Sequence, residues 1–238
     1  MTIPSTRAAS GRWRSVLDVI ATIAIIGAAV TMMLRSASSR SAAATPPTVP
    51  VPKDPLSLAA AATMGSATAK VAILEFSDFQ CPYCARFAKE VFPVLKSKYV
   101  DGGFVQFSFR HLPLPMHKQA QRAAESSACA AAQGRFWQMH DALFSKPDQT
   151  ESLEEPGLVA SAAATGIDMK AFSLCMVAPP TSQVQDDAKL ARSLGLSGTP
   201  AFIVGAKTVD GKLKASTVLL GAQPPDAFAD VIDKLLKG

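Results

Sequence analysis

The stretch Val71-Ala72-Ile73-Leu74-Glu75-Phe76-Ser77-Asp78-Phe79-Gln80-Cys81-Pro82-Tyr83-Cys84 decides the fold. Its first six residues form an apolar run broken by a single carboxylate, which is the composition of a strand buried on both faces. Beyond the cysteines, Phe87, Val91, Val94 and Leu95 recur at helical spacing between Ala85 and Tyr99. The cysteines therefore fall where a strand passes into a helix, with Pro82 at the first helical position, where its missing N–H costs nothing. A helix N-terminus carries partial positive charge and unpaired N–H groups, so a thiol placed there drops below its free pKa of about 8.5. Cys81 is thus expected to be the exposed nucleophile. Cys84, one turn on and facing inward, is placed to resolve a mixed disulfide formed by Cys81.

A Cys-x-x-Cys pair also serves as half of a structural zinc site or as an inert disulfide. Structural zinc commonly needs a second such pair, and the two remaining cysteines, Cys129 and Cys175, stand alone and far apart. The spacing favours a redox couple. His111, His117 and His140 have no acidic partner at ligand spacing. His140 shares a helical face with Phe136, Leu143 and Phe144, the setting of a packed core histidine, and Phe136 and Trp137 read as core as well. Neither a metal nor an organic cofactor is expected.

The chain has 238 residues, 48% hydrophobic and 18% charged, enough for one domain of ordinary size with extensions. Its net charge of +5 is concentrated at the start, where Arg7, Arg12, Arg14, Arg35 and Arg40 face Asp18 alone. The remainder is nearly neutral, which argues against a nucleic-acid partner. Val19 to Leu34 holds no charge, and counted from Val16 the stretch reaches 19 residues, roughly 28 Å as a helix. We read residues 1–15 as a cytoplasmic N-terminus and 16–34 as a transmembrane anchor, oriented by the arginines that precede it. A cleavable signal peptide ending at Ala42-Ala43-Ala44 is the alternative, with Arg35 and Arg40 lying between. Either way the cysteines end outside the cytoplasm, in an oxidising compartment.

Residues 35–64 read as a Ser/Ala/Pro-rich linker, with prolines at 46, 47, 50, 52 and 55 and too few apolar residues for a core. The folded domain is then expected over 65–238. After the cysteine helix, Phe104 to Phe109 alternates as a strand. From about 117 to 193 the chain reads as helices alone: around Cys129, then Phe136 to Phe144, Leu153 to Thr165, Asp168 to Met176 and Thr181 to Leu194. Strand character resumes at Ala201-Phe202-Ile203-Val204, Val209-Asp210-Gly211-Lys212 marks a hairpin turn, and Asp226 to Leu236 is an amphipathic helix. The class is α/β, a mixed sheet with an all-helical insertion.

The motif Phe76 to Cys84, followed by Phe109-Arg110-His111-Leu112-Pro113-Leu114, Phe136-Trp137-Gln138-Met139-His140-Asp141 and Gly198-Thr199-Pro200-Ala201-Phe202, resembles the DsbA-like disulfide oxidoreductases over roughly residues 65 to 238. The resemblance implies a thioredoxin fold with a helical insertion and exchange of disulfides with exported client proteins. It places a cis-proline loop, Thr199-Pro200, beside the cysteines, where it would meet an extended substrate together with Pro82 and Tyr83; Pro200 would also keep the thiols from capturing a metal. Glu75 matches the family's buried carboxylate, which would carry a raised pKa and accept the Cys84 proton. Cys129 and Cys175 lie outside the shared motif and are expected to form a structural disulfide in the insertion. A membrane quinone-linked oxidase is the expected reoxidising partner. Isomerases of this superfamily usually carry an N-terminal dimerisation domain, for which residues 36 to 64 are too short and too polar, so a monomer is expected. A reductase or isomerase of the same fold, and a non-catalytic binding or chaperone module, are the rival readings.

Overall fold

In a computed structural model, which describes residues 49–146 and 151–237, the apolar run becomes the central strand of a five-stranded sheet. The strands are β1 (Ala62–Met64), β2 (Val71–Ser77), β3 (Val105–His111), β4 (Ala201–Lys207) and β5 (Leu213–Leu220), in the order β1-β3-β2-β4-β5. β2 runs parallel to β3 and antiparallel to β4, and every one of its residues is buried. Coverage of both faces explains why it reads as a continuous apolar run.

Alternate residues of β2 face different cores. Val71 and Ile73, with Phe107 and Phe202, pack against Phe87, Phe92 and Leu95 of the cysteine helix and Phe228 of the last helix. Ala72, Leu74 and Phe76 pack on the other side against Ala188, Ala191, Leu56 and Leu58. The cysteine helix runs in four segments: α1 (Pro82–Arg86), a π-helical turn Phe87–Val91, α2 (Phe92–Leu95) and a second π turn Lys96–Val100. Pro93 has no N–H to donate to the preceding turn, and there Phe92 N–H reaches back five residues to the Phe87 carbonyl. Regular spacing read as one α-helix is therefore a helix with two wider turns.

Between β3 and β4 come α3 (Ala120–Ala131), α4 (Phe136–Phe144), α5 (Glu155–Ala164), α6 (Met169–Val177) and α7 (Thr181–Ser193); α8 (Pro225–Lys237) closes the chain. Helices α3 to α6 build a third core that includes Phe79, Cys81, Cys84, Phe109, Met139, Leu143, Leu158 and Phe172. One buried node ties the layers together. Arg110 of β3 pairs with Asp187 of α7 at 2.5 Å and donates to the carbonyls of Ser57 and Ala59, while Asp187 also accepts from His111 N.

The expected linker boundary needs correction. Leu56 pairs with Leu213 of β5, Leu58 is buried, and β1 lies antiparallel to β3, so residues 56–64 belong to the folded domain rather than to a tether. β1 is held as well by Trp137, whose indole N–H donates to the Thr63 carbonyl at 3.4 Å. The expected anchor at 16–34, the cytoplasmic segment 1–15 and most of the linker lie outside the described residues. Among the described residues no helix is long and apolar enough to cross a membrane.

Candidate active site

Cys81 caps the N-terminus of α1 with extended backbone angles, Pro82 occupies the first turn, and Cys84 follows one turn later. The Cys81 carbonyl accepts from Ala85 N at 3.0 Å, which fixes the cysteine as the entry of the helix. Antiparallel pairing of β4 with β2 brings the loop before β4 beside that entry. The Thr199–Pro200 peptide in this loop is cis, and the Cys81 thiol donates to the Thr199 carbonyl at 3.4 Å. Cys81, expected to stand exposed, retains only 3% of its surface because this loop lies over the sulfur, and Cys84 retains none. Pro82 and Tyr83 project outward, Tyr83 being 58% exposed with the Arg86 guanidinium 5.4 Å from its ring centre.

The two sulfurs differ sharply in acidity. A hydrogen bond from Cys84 holds the Cys81 thiolate down to about 6, against a smaller opposing cost of burial, with the Thr199 side chain and the N–H groups of Cys84 and Tyr83 adding to the effect. Burial pushes Cys84 well above the ordinary thiol value, and the adjacent negative charges of Cys81 and Glu75 push the same way. Glu75 sits on β2 beneath the pair, and burial raises its carboxyl to about 8 despite an opposing contribution from Ser77. The arrangement holds one sulfur ready to ionise, one held protonated, and a carboxyl that changes charge within the working pH range.

The histidines take three different positions. His140 is buried among Phe79, Phe92, Phe109 and Phe144. His111 is buried on β3, where loss of solvent and the neighbouring Arg110 charge lower it to about 3, so it is neutral. His117, which has no acidic residue at ligand spacing in the sequence, meets one brought from 39 residues away: its Nδ1 lies 2.7 Å from Oδ2 of Asp78, and His140 Nδ1 lies 2.9 Å from Oδ1 of Asp141. The wholly buried Asp78 carboxylate also accepts from Gln80 N at 2.7 Å and Leu114 N at 2.8 Å, while the Gln80 side-chain oxygen accepts from Gln119 N at 2.7 Å. These bonds lash the loop carrying Cys81 to the segment after β3. Asp78 and Gln80, to which the sequence assigns no role, and His117, weighed there only as a metal ligand, tie the site loop in place. Asp78 offered one signal, since an aspartate inside an apolar run is rarely buried without partners.

Cys129 of α3 and Cys175 of α6 are joined by a disulfide across a separation of 46 residues, so both sit in the helical block apart from the Cys81/Cys84 pair. Among the described residues no three His, Cys, Asp or Glu side chains converge as a metal site.

Residues 58–220 match the family model described as thioredoxin. The crystal structure of alpha-DsbA1 from Wolbachia pipientis superposes with a TM-score of 0.67 and 26% identity, covering 76% of this chain and 94% of that one. Disulfide bond formation protein D of Bacillus subtilis is 28% identical over 182 residues, 74% of this chain and 77% of that protein. A Salinispora tropica protein named as a Na(+)/H(+) antiporter, NhaA 3, is 33% identical over 167 residues, which are 69% of this chain but 24% of the antiporter. The chain thus spans about a quarter of the length of that relative, and the match is to a part of it. The chain belongs to the thioredoxin family and is similar in structure to the DsbA proteins of that fold.

Proposed function

We propose that the protein forms or exchanges disulfides in exported proteins through the Cys81/Cys84 couple. The observation that carries this reading is the placement of Cys81 at the N-terminus of α1, its sulfur 3.4 Å from the Thr199 carbonyl of the cis-proline loop, with buried Cys84 one turn on; this setting holds the Cys81 thiol below, and Cys84 above, the ordinary value. A thiolate stabilised at neutral pH is a good leaving group, and stabilising it favours the reduced pair, so the couple draws electrons from its substrates. A substrate thiolate attacks the Cys81 sulfur of the oxidised pair, the Cys81–Cys84 bond breaks, and its electron pair leaves on Cys84, which takes up a proton. A second substrate thiolate then attacks the substrate sulfur of the mixed disulfide and expels the Cys81 thiolate. Two electrons have passed to the protein, and the substrate holds a new disulfide.

Glu75 serves in this scheme as the proton reservoir for Cys84. Thr199, Pro200, Pro82 and Tyr83 form the face that meets an extended substrate, with the backbone of Thr199 within reach of the reacting sulfur. The Cys129–Cys175 disulfide has a structural role. A membrane quinone-linked oxidase would reoxidise the reduced pair, and the stretch 16–34 would hold the domain outside the cytoplasmic membrane as a monomer; retention of the full-length protein in membranes through alkaline carbonate washing tests the anchor.

The redox roles are tested by trapping. Cys81→Ser should abolish oxidation of a reduced model peptide, and Cys84→Ser should accumulate mixed disulfides through Cys81. Substrate trapped on Cys84 instead would reverse the assignment, and a Cys81→Ser variant with full activity would remove it.

A further inference from the structure

The ladder between β2 and β3 ends at Ser77 and His111, with one further bond from Leu112 N to the Ser77 carbonyl at 2.8 Å. Cys81 lies beyond that point, at the entry of a helix that no side chain caps. Such an entry is ordinarily fixed by a Ser, Thr, Asp or Asn whose oxygen accepts from the first helical turn. Here the capping position is the reacting cysteine itself, whose sulfur is engaged in the chemistry. The entry has to be held from elsewhere.

Asp78 holds it. Its Oδ1 accepts from Gln80 N at 2.7 Å and its carbonyl from Cys81 N at 3.1 Å, which closes the turn leading into Cys81. Its Oδ2 reaches the neighbouring segment, accepting from Leu114 N at 2.8 Å and lying 2.7 Å from His117 Nδ1. Leu114 and His117 are the two ends of one turn, since His117 N donates to the Leu114 carbonyl at 2.9 Å. One carboxylate therefore fastens the cysteine turn with one oxygen and the segment after β3 with the other, continuing the connection between the strands where their backbone ladder has stopped. Phe79 and Gln80 secure the rest of the turn: the Phe79 ring lies 4.9 Å from that of Phe144, and the Gln80 side chain accepts from Gln119 N at 2.7 Å. A wholly buried carboxylate is costly unless partnered, and asparagine closes this kind of turn as well. Only the second oxygen, facing two donors, requires aspartate.

We propose that Asp78, braced by His117, is a positioning residue for the dithiol exchange: it keeps the Cys81 sulfur at the entry of α1 and against the Thr199 carbonyl, and so sets the redox potential of the Cys81/Cys84 pair. The proposal rests on the exchange reading given above. The free N–H groups and the field at a helix N-terminus act only within the first turn, so a sulfur that swings away from the entry loses their support as a thiolate. The reduced pair is then less favoured, and the couple less oxidising.

The test titrates the reduced full-length chain by thiolate absorbance and equilibrates it with glutathione at pH 7. His117 keeps 19% of its side chain in solvent, so its replacement should leave the fold intact. His117→Ala is expected to raise the Cys81 midpoint by about one pH unit and to move the equilibrium about fivefold toward the disulfide form. Asp78→Ala, which cuts both ties, should move both readings further, toward the free thiol value of about 8.5. His117→Asn, whose amide nitrogen takes the place of Nδ1, should restore both readings. Replacing Cys129 and Cys175 by alanine weakens the fold elsewhere and should move neither, which separates positioning from stability. In the unaltered protein the His117 Nδ1 proton should be visible by NMR and slow to exchange, whether or not any variant folds. With Cys81→Ser inactive, His117→Ala and Asp78→Ala variants that keep the midpoint and equilibrium of the unaltered protein, or move them downward, overturn the positioning role alone. So does a His117→Asn variant as impaired as His117→Ala, a disulfide-free variant shifted as far, or a His117 ring with no protected Nδ1 proton. A Cys81→Ser variant that still oxidises a reduced peptide overturns the exchange reading and the positioning role with it.

Discussion

Replacing Glu75 by glutamine should make the protein more stable, and by an amount that depends on pH. The carboxyl is 1% exposed, and burial moves its pKa from the ordinary 4.5 to about 8. Below about pH 4 the group is protonated in both the folded and the unfolded chain and contributes no difference. Between 4.5 and 8 the unfolded chain has released the proton that the folded protein still keeps, so wild-type stability falls by about 1.4 kcal/mol for each pH unit. Above 8 the deficit is constant. At pH 7.5 the accumulated cost is about 4 kcal/mol, which for a domain of this size is roughly 10 °C in melting temperature. Glutamine matches the shape of the protonated acid and does not titrate. Urea unfolding of the reduced full-length chain, followed by fluorescence at pH 4 and pH 7.5, should show the two proteins converging at the lower pH and the variant ahead at the higher. A new amide hydrogen without a partner would lower the variant equally at both values and leave the slope intact. Parallel stability curves for variant and wild type would show that Glu75 is not buried in the protonated form, and the proton-reservoir role would go with it.

Three further outcomes are expected. Thiolate absorbance of the reduced protein should report a Cys81 transition near pH 6, and the couple should have a potential between about -120 and -220 mV; a transition near 8.5 with a potential close to the thioredoxin value of about -270 mV would indicate a reductase. Replacing both Cys129 and Cys175 by alanine should lower stability by up to about 4 kcal/mol, from opening a loop closed across 46 residues, while peptide oxidation stays largely intact; loss of oxidation with unchanged stability would give this disulfide a redox role. Asp187→Leu should cost about 3–5 kcal/mol in denaturant unfolding, because Arg110 would keep its buried charge without its carboxylate, and a neutral result would mean that water reaches the guanidinium.

The parts of the fold that announce themselves in the sequence are those built by near neighbours. The apolar run of β2, the helical spacing after Cys84, the five helices between β3 and β4 and the Asp210-Gly211 turn all depend on periodicity or on turn chemistry within a few residues. β1 is different. Ala62-Thr63-Met64 has little strand character of its own and becomes a strand because β3 offers an edge and Trp137 holds the Thr63 carbonyl, contacts made far along the chain, with Thr63 and Ser108 45 residues apart. The first wider turn of the cysteine helix, Phe87–Val91, follows from Pro93, whose effect falls on the turn before it; nothing in the structure explains the second, Lys96–Val100. Within the site, the Cys81/Cys84 pair at a strand-to-helix junction reads from motif and spacing, whereas Glu75 and the Thr199-Pro200 loop enter only through the family resemblance. The Asp78–His117 pair spans 39 residues and the Arg110–Asp187 pair 77, and no local pattern records either.

The Arg110 node also bears on how such a protein can be rearranged by recombination. A helical block between two strands looks like a cassette that one relative could lend to another. Here the cassette carries Asp187, while its guanidinium partner lies on β3 and the carbonyls that also accept from Arg110 come from Ser57 and Ala59, ahead of the first strand. A transplant of residues from α3 to α7 into a scaffold with an apolar residue at position 110 would bury an unpaired carboxylate, and the reverse transplant would strand a guanidinium. Viable chimaeras must therefore carry position 110 of β3 together with position 187 of α7, on a backbone that keeps the carbonyls at 57 and 59 in place, which makes the insertion, for all its modular appearance, heritable only together with part of its frame.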